Sequence, residues 1–117
     1  YIAKMSTADQ IGLAAKGGDA LARNAARLMI EIFATSIANN ILVTGSKKCV
    51  IICGGISAKL SDFFDDSLFF ERLGNKGKYR NYVSDVPILL SFDNNNGLKG
   101  SAEAFYNPFF RMQKISN

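Results

Sequence analysis

Apolar residues recur at three- and four-residue spacing in "STADQIGLAAKGGD", where Ile11, Ala14 and Ala15 fall on one helical face. A short helix is predicted there, capped by Ser6 or Thr7 and ended by Gly17 and Gly18. Asp19 is placed to cap the next helix, because its carboxylate can accept from backbone N–H groups that have no partner within the helix. That helix is predicted to run from about Ala20 to Val43, with Leu21, Ala25, Leu28, Met29, Ile32, Ser36 and Asn40 in a three-four rhythm. Phe33, Ile37 and Ile41 widen the apolar face, so the helix is expected to be covered on more than one side.

After the turn "TGSKK" the period changes. Cys49 to Cys53 is apolar at every position and reads as a buried parallel strand. "SAKLSDFF", opened by Ser57, reads as a short helix, and "DSLFFERLGNKGKYRNYVSD" as two short helical turns around a glycine-rich bend. Pro87 begins a second strand, "PILLSF"; "DNNNG" is a turn, and "GLKGSAEAFY" a last helix capped by Asn96. The tail after Pro108 shows no pattern. A crossover of about 30 residues between two strands predicts a parallel pair in an α/β sheet. Two strands alone leave both sheet edges unpaired. A chain opening at Tyr1 therefore reads as a piece whose remaining strands lie upstream.

Composition narrows the function classes. The chain of 117 residues is 48% hydrophobic and 21% charged, as in an ordinary globular domain. No uninterrupted apolar run reaches the roughly 18 residues of a membrane span, and no secretory signal pattern opens the chain. Fourteen basic against ten acidic residues give a net charge of +4, which suits the phosphates of a small nucleotide as well as nucleic acid. On a strand, Cys49 and Cys53 would lie about 13 Å apart, too far for a disulfide. Buried, reduced thiols imply a cytoplasmic setting. The chain has no histidine, which removes every catalytic triad that uses one as base and argues against structural zinc.

The candidate chemistry lies where the first strand stops at Gly54 and Gly55. Ligands of open α/β sheets sit beyond the carboxyl ends of the strands, and residues without Cβ atoms let a ligand approach the main chain. N–H groups opening the next helix would favour an anion. A bare tight turn explains the glycine pair equally well. "GGISAKL" lacks the dinucleotide fingerprint, and "GNKGKY" lacks the first glycine and the Ser/Thr of a Walker loop. Gly97 and Gly100 open the last helix, so the two strand ends could share one crevice. Asp62, Asp65 and Asp66 read as solvated surface, and Asp93 as a turn or cap. Arg72, Lys76, Lys78 and Arg80, mixed with Tyr79 and Tyr82, could form a basic-aromatic patch for single-stranded nucleic acid, but the modest charge favours a solvated loop.

Taken together, "IICGGISAKLSDFF" and "NKGKYRNYVSDVPILLSFDNNNGLKGSAEAF" resemble the carboxyl-terminal region of bacterial-type glucokinases. That family shows a strand into Gly-Gly-Ile or Gly-Gly-Val, a "DKGR(F/Y)" stretch, an "(I/V)PV" strand and an "NPGLLG" helix start. The counterparts here are Gly54-Gly55-Ile56, Asn75 to Tyr79, Val86-Pro87-Ile88, and Asn95 to Gly100. "AAKGGDALARNAARLMIEIFATSIANN" is also similar, and the likeness spans roughly Ile11 to Phe105.

The resemblance implies a fold class of α/β, a partial actin-like ATPase (ribonuclease H-like) domain, with residues 1–117 as one carboxyl-terminal piece. It implies a cytoplasmic sugar kinase moving the γ-phosphoryl of ATP, with Mg2+, onto the 6-hydroxyl of glucose. Gly54, Gly55, Ile56 and Ser57 would lie against the nucleotide. The family's catalytic aspartate, sugar-binding residues and first phosphate loop would lie upstream, leaving this piece inactive alone. Asn96 replaces the family's proline, implying a looser turn, and Asn75 an acidic residue, removing an ion pair. ATP and glucose are the implied partners, with no nucleic acid and no membrane. The apolar face of the long helix, with Met29, Phe33 and Ile37, would dock on a second copy or on the missing amino-terminal part. A purely structural or oligomerisation role is the remaining alternative.

Overall fold

The computed structural model describes residues 7–55, 59–64 and 67–107. Helix α1 spans Ala8–Lys16 and is capped by Thr7, whose hydroxyl accepts from the Gln10 N–H; Gly17 closes it. Helix α2 spans Ala20–Thr44, with the Asp19 carboxylate accepting from the Ala22 N–H at 2.8 Å. At its far end Gly45 takes φ +65°, a left-handed conformation open to glycine at little cost. Strand β1 is Val50–Ile52. A 3₁₀ turn at Ser61–Phe63, helix α3 at Ser67–Leu73, a second 3₁₀ turn at Gly77–Tyr79 and helix α4 at Arg80–Ser84 form the crossover. Strand β2 is Ile88–Leu90, and helix α5 spans Asn96–Tyr106. Ser57, Asp65, Asp66 and the tail after Pro108 lie outside the described residues.

The two strands pair in parallel, with Val50 opposite Ile88, Ile51 opposite Leu89 and Ile52 opposite Leu90. Pro87 has no N–H to give, yet its carbonyl accepts from Val50 at 2.9 Å, so it fits ahead of β2 without interrupting the ladder. Beyond the strands the Ser91 N–H donates to the Ile52 carbonyl at 2.8 Å. The carboxyl ends of β1 and β2 are therefore side by side.

The core is centred on α2. Its buried residues are Ala22, Ala26, Ile30, Ala34, Ile37, Ala38 and Ile41, against which α1, α3, α4 and the first 3₁₀ turn pack. Phe33, Phe64, Phe69 and Phe70 form a chain of edge-to-face rings with centroids 5.1–6.3 Å apart, closing the corner between α2 and α3.

Five expectations change. The buried stripe of α2 is displaced by one position: Leu21, Leu28 and Ile32 are exposed, and the neighbouring alanines carry the contacts. Alanines admit a closer helix approach than leucines do, so the apolar face that wins is the narrower one. Ile37 is buried within the chain, whereas Phe33 is half-buried, packed edge-on against Phe64, and Met29 remains 39% exposed. The strand is covered on one face only. Ile51 and Leu89 share the other face and are 61% and 50% exposed. Cys53 is exposed and Cys49 half-buried, because the strand is three residues long and both thiols flank it; both remain free. Finally, α2 is long and apolar enough to cross a membrane by length and composition, although its alanine stripe is buried against neighbouring helices.

Removing the α2 cap leaves the Ala22 N–H without its carboxylate partner. Asp19→Ala should destabilise the fold by about 1 kcal/mol, read as a lower urea midpoint with an unchanged slope.

Candidate functional site: the strand end and its groove

At the carboxyl end of β1, Gly54 has φ +97°, a backbone state that side chains strain. Among the described residues, a Cβ built on Gly54 or on Gly55 would meet nothing within 4 Å. The two glycines thus differ in kind. Gly54 is required by the turn itself, whereas Gly55 has no positive φ and is bordered by space that no described side chain fills. Ile56 and Ser57, the other candidates here, lie outside the described residues.

Gly55 also lines a groove of about 620 Å³ between α1 and α2. That volume falls in the range of small-molecule sites, roughly 300–1,000 Å³. Ile11, Leu13, Met29 and Leu60 give it apolar walls, and Gly12, Ala25 and Ala26 give it depth. Asp9 of α1 and Lys59, just past the glycine pair, form an ion pair at 2.5 Å on its rim. Sequence reasoning missed the groove because its walls come from three separate segments. The small residues Gly12, Ala25 and Ala26 were the available signal, marking places where helices or a ligand can come close.

The second strand end is organised differently. Asn95 occupies the cap position of α5, so the cap is one residue earlier than expected. Asn96 begins the helix, and its side-chain amide donates to Ser91 Oγ at 2.8 Å and to the Asp93 carbonyl at 2.6 Å. These bonds tie down the turn that the absence of proline was expected to loosen. The Asp93 carboxylate accepts from Lys99 and from the Asn95 N–H, and these bonds hold its pKa below the ordinary aspartate value. Its role in the structure is turn formation. Gly97 and Gly100 share the sheet end but are not among the groove's lining residues.

Arg72 and Lys76 reach back to α2, Arg72 Nε donating to Thr35 Oγ1 at 3.1 Å and Lys76 Nζ to Asn39 Oδ1 at 2.5 Å. Lys78 lies over the Tyr79 ring and Lys47 over Tyr82. A polar hollow of about 410 Å³ beside this loop mixes Arg72 and Arg80 with Glu31 and Glu71. Both charge signs meet there, unlike the uniformly basic track that a nucleic-acid backbone selects. Among the described residues no group of three or more Cys, Asp or Glu is placed to hold a metal ion.

A parallel strand pair with helical crossovers and an open, glycine-bearing strand end defines a protein of the α/β class. The family model described as Glucokinase matches residues 2–108, and the chain belongs to the glucokinase family. It is 32% identical to the glucokinase of Chromohalobacter salexigens over 106 residues, covering 91% of this chain and 33% of that protein. To the glucokinase of Hahella chejuensis it is 34% identical over 89 residues, covering 76% of this chain and 28% of the relative. The Neisseria gonorrhoeae glucokinase is 31% identical over 87 residues, covering 74% and 26%. The chain thus spans about a third or less of the length of these relatives. No solved structure matches it.

The Asp93 turn has a defined pH response. A carboxylate with a lowered pKa stabilises the fold fully above the ordinary aspartate range, and loses that contribution as pH falls through the lowered value. In an NMR titration the Asp93 carboxyl should protonate below the ordinary midpoint. Lys99→Ala should move that midpoint up, since the Lys99 hydrogen bond is the largest cause of the shift.

Proposed function

We propose that this chain is part of the nucleotide-binding side of a glucokinase of the actin-like ATPase (ribonuclease H-like) fold. The enzyme moves the γ-phosphoryl group of ATP to glucose: the 6-hydroxyl gives its proton to a base in the rest of the enzyme, its oxygen bonds to the γ-phosphorus, the bond from that phosphorus to the bridging oxygen breaks, and ADP leaves. One observation carries the reading, the unfilled space over Gly54 and Gly55 at the carboxyl end of a parallel strand. A nucleoside can lie there against bare main chain, with the apolar groove alongside to receive its base. Ile56 and Ser57 follow directly in sequence and are assigned to the same wall.

In this reading the magnesium ligands, the base and the sugar-binding groups are assigned to the rest of the enzyme; no group of three or more Cys, Asp or Glu gathers among the described residues. The bare sheet face at Ile51 and Leu89, with exposed Leu21, Leu28 and Ile32 of α2, packs against that remainder in this reading. A cytoplasmic setting goes with the proposal, as do ATP and glucose as partners.

Gly55 offers a selective test. None of the described residues occupies its Cβ direction, and its φ lies outside the left-handed region. Gly55→Val in the full-length enzyme should leave the melting temperature nearly unchanged and raise the KM for ATP by about tenfold or more, on the order of 1.4 kcal/mol of lost binding. An unchanged KM would remove the glycine pair from the nucleotide site. The chain expressed alone should form no glucose 6-phosphate in a coupled assay, because phosphoryl transfer needs base, hydroxyl and metal-bound phosphates held together.

A further inference from the structure

We infer that Lys59 is a phosphate-binding residue of the nucleotide site, held in reserve by Asp9 until a nucleotide arrives. This rests on the nucleotide reading above and names a side chain that does part of the binding. Lys59 closely follows the glycine pair and stands on the rim of the groove that Gly55 lines. Its ammonium meets the Asp9 carboxylate of α1 at 2.5 Å, a contact between segments far apart in the sequence.

Charge decides which way a nucleotide lies there. Ile11, Leu13, Met29 and Leu60 offer apolar surface to a flat base, but phosphates cannot give up their water to such walls. The phosphates therefore emerge at the rim, where Lys16 and Lys59 stand with Asp9. A lysine ammonium is a compact charge with several donors on a flexible stem, so it can follow a phosphate oxygen. Its present partner gives it up readily. The Lys59 and Asp9 side chains are 59% and 66% exposed, and an ion pair so open to water adds little to stability. Helix α1 is held by its packing on α2 and does not need the pair. Charge-assisted bonds to phosphate are among the stronger hydrogen bonds, so exchanging one carboxylate for a polyphosphate runs downhill. Once the pair has parted, water screens the exposed carboxylate from the phosphates, and Asp9 acts on binding through Lys59. Removing the carboxylate frees Lys59 in advance and should tighten nucleotide binding.

The test is calorimetric titration of ADP, with magnesium, into the full-length enzyme carrying this chain. Lys59→Met keeps most of the aliphatic stem at an exposed position, so the melting temperature should hardly move. It should raise the Kd for ADP by about tenfold, and Lys59→Arg should recover most of that loss. Asp9→Asn should lower the Kd by about threefold, whereas the double variant should bind no better than Lys59→Met alone. A change of less than about threefold in Lys59→Met overturns the inference, as does an Asp9→Asn gain that persists in the double variant. An equal loss in Lys59→Met and Lys59→Arg overturns it too, because charge would then not be what binds. Gly55→Val separates this failure from failure of the nucleotide reading. If Gly55→Val weakens ADP and Lys59→Met does not, the strand end binds nucleotide without Lys59. If neither changes the Kd, both readings fall.

Discussion

Close approach along the alanine stripe of α2 is the contact on which the other elements depend. Ala22, Ala26, Ala34 and Ala38 are almost wholly removed from solvent, and Ile30, Ile37 and Ile41 fill the spaces between the helices that pack there. Side chains this small let backbones approach, and a close-packed interior tolerates little added volume. The α1 wall of the groove inherits its position from that approach, because α1 packs directly on α2. The ring cluster of Phe33, Phe64 and Phe69 anchors the opposite flank.

Local chemistry made much of this fold legible in the sequence. Thr7 and Asp19 cap the helices that their side chains suit, and Gly17 and Gly45 end them. The wholly apolar "VII" and "ILL" segments pair in parallel, as their crossover length requires. The face α2 would bury was less legible. Apolar residues surround much of that helix, so periodicity offered two adjacent stripes and only packing partners could choose between them. The strands show the same ambiguity. Continuous apolar sequence implies cover on both faces, yet Ile51 and Leu89 stand open. At the second strand end the run of asparagines hid a one-residue shift, since Asn95 and Asn96 are both plausible caps.

The candidate site was half legible. A glycine pair after a strand is a local signal, and the geometry separates its members: backbone conformation demands glycine at 54, whereas at 55 no described residue lies in the Cβ direction. The groove could not be read from any one segment, because α1, α2 and Lys59 meet only in the folded chain. Kinship adds the glucokinase family to which the chain belongs. The steric observation stands apart from it, since it depends only on what lies within 4 Å of an absent side chain.

The pair between Asp9 and Lys59 spans the mouth of the groove and is exposed on both sides. Ion pairs of this sort contribute about 0–1 kcal/mol and weaken as dissolved ions crowd around them. The clasp is therefore soft, and concentrated electrolyte would loosen it with little cost to the core, since α1 is held by its packing on α2.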